Sequence, residues 1–322
     1  RMFAFYENLL APYQKPFAAV DINALTTVKM EEENIKALLN WQVQNELHAQ
    51  FISLILGWCG LLTNASRWEE VVRWGEKALM AAETIGDTHA TAHLCSYVLA
   101  WPMWMRGEYQ NARSYCQRGI EAAGKLGAVN RAVYLSFANH NLHRTALHEC
   151  QNARDENTVR RCLRETSLYA ELCLQFARHT NGSELFPTLL GLAFGDLGYA
   201  RLKYGDYLGA EDWFRHRLDL VDKIDQVQIA TRLLDISIAL IGQKERVTAA
   251  HYLDAALALA QANARHDLTA EILFALARID WEEGNLTRAQ ERENAAQTLW
   301  TSARLDRDPF VCILDRPESS EE

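Results

Sequence analysis

A short signature returns along this chain at a spacing near forty residues. It consists of a helix-breaking or polar corner, then an aromatic or aliphatic residue, with a small residue three positions after that one. The clearest copies begin at Gly107, Gly205 and Gly284. The residues that mark the copies, Trp68, Tyr109, Tyr207, Val247 and Leu286, are separated by 41, 98, 40 and 39 residues. The long gap has room for one more unit, with a degenerate corner near residues 151–157. Repeats of this length predict a helical array that offers a surface for binding.

Each corner lies between two helices with apolar periodicity, such as residues 186–204 and 207–223. A glycine at the corner can adopt the positive φ that ends a helix, and the Asp, Glu or Asn after it can cap the next helix. Small residues would let the paired helices approach closely: Ala100, Gly198 and Ala277 in the first helices, with Ala112, Ala210 and Ala289 in the second. Since one pair cannot bury its own apolar faces, we expect neighbouring pairs to stack.

The corners resemble the turn of tetratricopeptide repeats, as in Gly205-Asp206-Tyr207 with Ala210. The resemblance covers residues 46–303, and the observed period exceeds the repeat length of about 34 residues that is usual for this family. It implies an all-α fold: a right-handed superhelical solenoid of about six tetratricopeptide-like helix pairs, preceded by a helical lead-in at the N-terminus. Long units of this kind are similar to the sensor regions of signal-transducing STAND ATPases of the maltotriose-responsive activator type.

Residues 33–41, which read Glu-Asn-Ile-Lys-Ala-Leu-Leu-Asn-Trp, resemble the helix that opens the repeat region in that superfamily. This resemblance implies an ATPase module attached in the same chain, with a role in transcription regulation. The absence of a methionine before Arg1 fits an excised fragment. We therefore expect three parts: a helical lead-in at 1–45 that joins a missing upstream module, the repeat array at 46–303, and a mostly disordered acidic tail at 304–322.

The net charge of −9 argues against direct nucleic-acid binding, because a phosphate-binding surface requires clustered Lys and Arg side chains. We expect no membrane partner and a cytoplasmic location, because no uninterrupted apolar segment is long enough to span a bilayer. The seven cysteines are scattered without Cys-x-x-Cys spacing, which favours reduced, buried thiols over disulfides or zinc ligands.

Motifs for catalysis, metals and cofactors are weak. Residues 119–126 approach P-loop spacing, but Leu126 replaces the Ser or Thr that would hold magnesium, and the segment lies near the end of a helix. His89 and His93 are four residues apart without a zincin glutamate, and we interpret them and the histidines at 140, 143 and 148 as structural or solvent-facing. We therefore predict no cofactor, no metal and no catalytic residues, so the chain is not expected to be an enzyme.

Aromatic residues mark the first helix of the second repeat. When Ala100 is aligned with the small position of the repeat pattern, the residues expected on the concave groove are Tyr97, Trp101, Trp104 and Met105. The same register in later repeats adds Asn139, His143, Tyr199, Lys203, Arg278 and Trp281. Pro102 is expected to kink the helix that carries the tryptophans. The alternative interpretation of Trp101 and Trp104 is packing between repeats, because tryptophans are usually well buried.

The sequence thus predicts a non-catalytic sensor or interaction domain. Its concave groove would bind a small ligand, a peptide or a protein and regulate an attached signalling ATPase. The alternative is a stand-alone tetratricopeptide scaffold or a peptide-pheromone receptor built from similar long repeats. An enzyme is a distant third hypothesis, since no convergent acid, base or nucleophile set can be named.

Overall fold

In a computed structural model, the protein is described over residues 2–14, 22–64, 67–220 and 225–302, together with residues 312 and 314. Over these residues the regular structure is entirely helical. This confirms the predicted all-α fold class. The acidic tail predicted at 304–322 lies outside the described residues, except for Cys312 and Leu314.

The chain begins with α1 (Met2–Leu10), a 3₁₀ turn (Ala11–Gln14) and α2 (Ile22–Gln44). The end of α1 and the 3₁₀ turn pack directly onto α3 (His48–Asn64). Glycines in α3 permit this close approach: a Cβ atom on Gly57 would lie 2.4 Å from the Leu10 carbonyl oxygen, and one on Gly60 would lie 2.2 Å from that of Tyr13.

Six helix pairs follow within the described residues. The first pair is α3 with α4 (Trp68–Ile85). In the second pair, α5 (Thr88–His93) continues through a π-helical segment (Leu94–Leu99) into α6 (Ala100–Met105), and α7 (Tyr109–Ala123) is the second helix. The remaining pairs are α8 (Ala128–Asn152) with α9 (Glu156–Arg178), α10 (Phe186–Lys203) with α11 (Tyr207–Asp219), α12 (Gln226–Gly242) with α13 (Arg246–Ala262), and α14 (His266–Glu282) with α15 (Leu286–Ser302).

The corners share one backbone arrangement. Gly107, Gly205 and Gly284 have φ values of 73°, 74° and 79°, so the predicted positive φ is confirmed at all three. The amide after each corner glycine bonds to a carbonyl of the preceding helix, as in the 3.0 Å bond from Asp206 N to Arg201 O. The same bond forms at the weaker corner, where Lys244 has a φ of 66°. These bonds satisfy carbonyls that the helix end would leave without partners.

The predicted side-chain caps form with Asp but not with Glu. Asp206 Oδ1 accepts a 3.0 Å hydrogen bond from the Gly209 amide. Glu108 and Glu245 occupy the same position at the starts of α7 and α13 and make no such bond, so the predicted caps there are wrong. The physical reason is length: the extra methylene carries the carboxylate past the amides, and Glu108 Oε2 instead accepts from the Asn111 side chain at 2.9 Å.

The chain divides into two compact units, residues 1–104 with 108–141, and residues 105–107 with 142–322. The first unit has an apolar core that includes Leu10, Leu39, Ile55 and Trp58. The core of the second unit is built from Leu147 of α8 and from residues of α10 to α14, and the half-buried side chains of Cys312 and Leu314 pack against it. The expected small residues at helix crossings are buried here; a Cβ atom on Gly198, for example, would lie 2.3 Å from Phe214 Cε1.

The sequence-based expectations also concerned the state of the cysteines and the length of the apolar segments. All seven cysteines are free thiols; six are buried and Cys312 is half-buried, which agrees with the interpretation of unpaired thiols. Among the described residues, no helix is both long enough and apolar enough to cross a membrane.

Candidate functional site

An aromatic cluster in the first unit surrounds Tyr97 and Trp101. The Tyr97 ring centroid lies 5.0 Å from that of Phe137 and 5.9 Å from that of Trp101, and the Trp101 ring lies 6.3 Å from that of Trp68. Trp68 and Phe137 are buried, whereas Tyr97 and Trp101 are half-buried. The two predicted groove residues are therefore adjacent, rest on a buried aromatic base and keep part of their surface exposed.

The helix that carries these aromatics departs from α-helical geometry. The π-helical segment Leu94–Leu99 stands immediately before Pro102. Pro102 has no amide hydrogen to donate to the carbonyl of Val98, and its ring is incompatible with the regular position of that carbonyl. A wider turn at this point removes the conflict, because each carbonyl then bonds five residues ahead. The helix in which Pro102 was expected to cause a kink thus contains a π-helical segment, which includes the half-buried Tyr97 and ends two residues before the half-buried Trp101.

Trp104 and Asn139 lie in the interior of the same unit. The indole Nε1 of Trp104 donates a 2.8 Å hydrogen bond to Asn141 Oδ1, and Asn141 Nδ2 donates to the Ser96 carbonyl at 2.7 Å. Asn139 Nδ2 donates to the Leu135 carbonyl at 2.7 Å. Both predicted groove side chains are buried, as is Met105, which belongs to the second unit. For Trp104 this geometry favours the packing alternative.

A second group of aromatic and imidazole rings borders Tyr97. The His93 ring lies 5.7 Å from the rings of Tyr97 and Tyr134, and His89 Nε2 lies 3.0 Å from the Tyr134 hydroxyl oxygen. Burial, together with a smaller effect of the neighbouring His89, lowers the pKa of His93 to about 4. His93 is consequently neutral near pH 7, in agreement with a structural role.

In the second unit, the predicted residues His143 and Tyr199 belong to a buried polar network. His143 Nδ1 lies 2.9 Å from the Thr166 carbonyl oxygen, and its Nε2 lies 3.7 Å from Asp196 Oδ1. The Tyr199 hydroxyl donates a 2.6 Å hydrogen bond to Asp235 Oδ1. Burial raises the pKa of Tyr199, and the charge of Asp235 raises it further, so Tyr199 remains a hydrogen-bond donor.

Three guanidinium groups complete this network. Arg144 Nε lies 3.3 Å from Asp196 Oδ1, and the Arg144 guanidinium carbon is 4.3 Å from the centre of the Tyr199 ring. Arg217 pairs with Asp235 Oδ2, and Arg232 donates to the carboxamide oxygen of Gln228. The network residues Arg144, Asp196, Tyr199, Arg217, Arg232 and Asp235, which we call the arginine cluster, are all buried.

Of the arginine cluster, only Tyr199 was among the site residues predicted from the sequence. The sequence nevertheless contains a signal for this cluster. Asp196 and Asp235 each interrupt an apolar stretch in the first helix of a pair, and they are 39 residues apart, which is about one repeat period. An acidic residue that returns on the buried face at this period requires buried partners. Gly195 is a second signal: a Cβ atom there would lie 2.6 Å from Arg217 Cζ, so glycine gives the guanidinium its space.

Three predicted site residues remain: Lys203, Arg278 and Trp281. None of them takes part in the hydrogen bonds or ion pairs of the arginine cluster described above. Lys203 is half-buried near the end of α10. Arg278 Nε donates to Glu282 Oε1 at 2.8 Å on α14, and Trp281 on the same helix is 43% exposed.

One group of side chains has the composition of a metal site. Potential ligand atoms of Glu149, Cys162 and Glu165 lie within 4.8 Å of one another. Burial raises the pKa of the Cys162 thiol to about 11, so the thiol is protonated at neutral pH. Arg161 lies 3.5 Å from Glu149 Oε1 and supplies positive charge there. A cation would have to displace the thiol proton and overcome repulsion by Arg161.

The sequence matches no protein-family profile and no curated protein. A comparison with solved structures found matches of differing strength. Aspartyl phosphate phosphatase F from Bacillus subtilis is 12% identical over 94% of this chain and 75% of that chain, with a TM-score of 0.50. The apo form of RapI is 11% identical over 73% of this chain and 98% of its own, with a TM-score of 0.47. The apo form of the quorum sensor NprR from B. thuringiensis is 12% identical over 94% and 99% of the two chains, with a TM-score of 0.30.

At such low identity, the likeness to aspartyl phosphate phosphatase F concerns the fold alone. It agrees with the array of six helix pairs. The chain therefore has a helical-repeat fold built from tetratricopeptide-like helix pairs.

Proposed function

We propose that this protein is a non-catalytic scaffold that binds a peptide or a protein segment, which was the alternative hypothesis from the sequence. The observation that carries the proposal is the pair Tyr97 and Trp101, which pack against the buried rings of Phe137 and Trp68 and are themselves half-buried. Rigid aromatic side chains offer a large apolar face at low conformational entropy cost, which suits an anchor for a ligand side chain. A small-molecule ligand would use the same surface.

Two observations favour binding over catalysis. Neither the sequence motifs nor the described side-chain networks contain an acid, base and nucleophile in a catalytic arrangement. The activity in the name of aspartyl phosphate phosphatase F belongs to that protein, and at 12% identity it is not transferred to this chain. The proposed partner remains a peptide or protein, with no nucleic acid and no membrane.

Replacement of Trp101 by alanine tests the proposal. If Trp101 is an anchor, Trp101→Ala weakens binding by at least ~2 kcal/mol, roughly thirtyfold, in titrations with peptides selected from a random library on the parent protein. Trp41→Ala is the matched control, because Trp41 is 53% exposed on α2 and lies outside the predicted groove set. Equal affinities of the parent and Trp101→Ala would contradict the proposal, as would a selection that yields no binding peptide.

The attached signalling ATPase is a second proposal that rests on residues 33–41. These residues lie within α2, and the last of them, Trp41, is exposed. An exposed apolar side chain at this point is consistent with contact to a further module. Sequencing of the gene upstream of Arg1 tests this: an in-frame P-loop ATPase would support attachment, and a stop codon followed by a start site would exclude it.

A further inference from the structure

The arginine cluster holds more cations than anions. Among its members, Arg144, Arg217 and Arg232 are positive, whereas Asp196 and Asp235 are negative. Arg144 lies against Asp196, and Arg217 pairs with Asp235. The third guanidinium, that of Arg232, donates to the neutral carboxamide of Gln228, and its Nε has no hydrogen-bond partner among the described residues.

This surplus charge lies in the interior. Arg232 is only 7% exposed, and burial lowers its pKa well below the ordinary arginine range. The charges of Arg217 and Arg144 act in the same direction, and the charge of Asp235 opposes them. An arginine side chain nevertheless stays protonated in proteins, so it keeps its charge and pays the desolvation cost. A buried cation without a paired anion destabilises the fold unless an anion from outside completes the site.

The surrounding contacts hold the other groups in place. The Tyr199 hydroxyl and Arg217 both bond to Asp235, and the Arg144 guanidinium stacks on the Tyr199 ring. These side chains are therefore ordered before any ligand arrives, which reduces the entropy lost on binding. Arg232 is the most exposed member of the cluster, and its partner Gln228, also on α12, is half-buried.

We propose that the arginine cluster binds one carboxylate group through Arg232. A guanidinium presents parallel N–H donors that match the two oxygens of a carboxylate. The single charge of Arg232, which forms no ion pair among the described residues, matches one carboxylate, whereas a phosphate dianion would overcompensate it. The inference deepens the proposed function, on which it rests in part: the carboxylate would be the C-terminus or an acidic side chain of the bound peptide.

Acetate is the simplest probe of this site in the full chain. We expect sodium acetate to raise the melting temperature of the parent above that in sodium chloride at equal ionic strength, because a ligand that binds only the folded state stabilises it. Arg232→Met should abolish this difference. It should also melt no lower than the parent in chloride, because the substitution removes an unpaired buried charge.

Arg246→Met is the matched control, since Arg246 lies on α13 of the same unit in a more exposed ion pair with Glu282, and it should keep the acetate response. The proposal is overturned if the parent shows no acetate response. It is also overturned if Arg232→Met melts far below the parent in chloride, since Arg232 would then be a structural cation. A larger response to inorganic phosphate than to acetate would contradict the assignment of a carboxylate.

A second measurement separates this inference from the proposed function. Random pentapeptide pools with a free or an amidated C-terminus are titrated into the parent and into Arg232→Met. We expect the free form to bind the parent roughly tenfold more tightly, and Arg232→Met to lose this preference. If neither pool binds while the acetate response persists, the carboxylate site stands and peptide binding fails. If both pools bind the parent equally, recognition of the peptide terminus is excluded.

Discussion

His93 illustrates how a single residue in this array can carry a measurable pH dependence. Its half-buried ring lies among Tyr97, Tyr134 and His89, and burial holds its pKa at about 4, below the ordinary value of 6.5. The unfolded chain therefore takes up a proton as the pH falls through about 6.5, while the folded chain stays neutral until a much lower pH. The stability that depends on neutral His93 is fully present above pH 6.5 and is lost below it.

We expect His93→Gln to flatten the dependence of stability on pH between pH 7 and pH 5. In the parent, this residue makes the free energy of unfolding fall by up to about 1.4 kcal/mol per pH unit in that range. Urea unfolding at several pH values measures the slope. His216→Gln is the control, because His216 is exposed, and it should retain the slope of the parent. An unchanged slope in His93→Gln would contradict the prediction.

At the scale of the elements, the positions of the corners between helices are the feature that the sequence predicts best. A left-handed residue between two helices leaves a clear signal, because glycine is strongly favoured there, as at Gly107 and Gly205. The unit between Tyr109 and Tyr207 was predicted from the period alone, and α8 and α9 indeed meet at residues 153–155. The missing caps at Glu108 and Glu245 could not be predicted from residue class, since Asp and Glu differ there only in side-chain length.

Lys244 provides a test of the corner geometry. It has a φ of 66°, a conformation that costs an L-residue with a side chain about 1–2 kcal/mol. Lys244→Gly should relieve this strain and, after the larger entropy of unfolded glycine is subtracted, stabilise the protein by up to about 1 kcal/mol.

Gly205→Val should act in the opposite direction and cost about 1 kcal/mol or more. Chemical unfolding followed by circular dichroism measures both changes.

Lys244→Ala separates the conformational effect from the loss of the lysine side chain. Alanine keeps a Cβ atom, so this variant should gain little stability. Equal stabilisation by alanine and by glycine would show that the backbone strain at this corner is not the cause.

Only part of the candidate site could be predicted, because contacts within one helix follow from the sequence spacing and contacts between helices do not. The adjacency of Tyr97 and Trp101 follows from their spacing of four residues on one helix. The arginine cluster instead joins Arg144 on α8 to residues on α10, α11 and α12, so its contacts depend on how separate helices are rotated against each other. A sequence read one helix at a time does not contain that rotation.

At the scale of the whole molecule, a repeat array distributes its stability over local contacts. Each described core draws on neighbouring helix pairs, as in the second unit, where Leu253 packs among residues of α10 to α14. In such arrays the free energy of folding approximates a sum of unit and nearest-neighbour contributions. A core defect should therefore lower protection near its own pair first.

Hydrogen exchange on two core variants tests this locality. Leu253→Ala should cost about 2–5 kcal/mol and speed amide exchange first in α12, α13 and α14. Ile55→Ala, an equally buried truncation in the first unit, serves as the reciprocal control and should act first on α3 and α4. Loss of protection by the same factor throughout the described helices in both variants would show that the array unfolds as one cooperative body.

The π-helical segment Leu94–Leu99 has a consequence for how this chain is compared with others. A π turn accommodates one residue more than the α turn it replaces, which makes it the structural equivalent of a single-residue insertion. A relative with an uninterrupted α-helix here would require a one-position gap in the alignment, and without that gap every following side chain would be assigned about 100° around the helix axis from its true position. Trp101 and Trp104 follow the segment. Their counterparts in other repeats are found only when the comparison is made turn by turn in space.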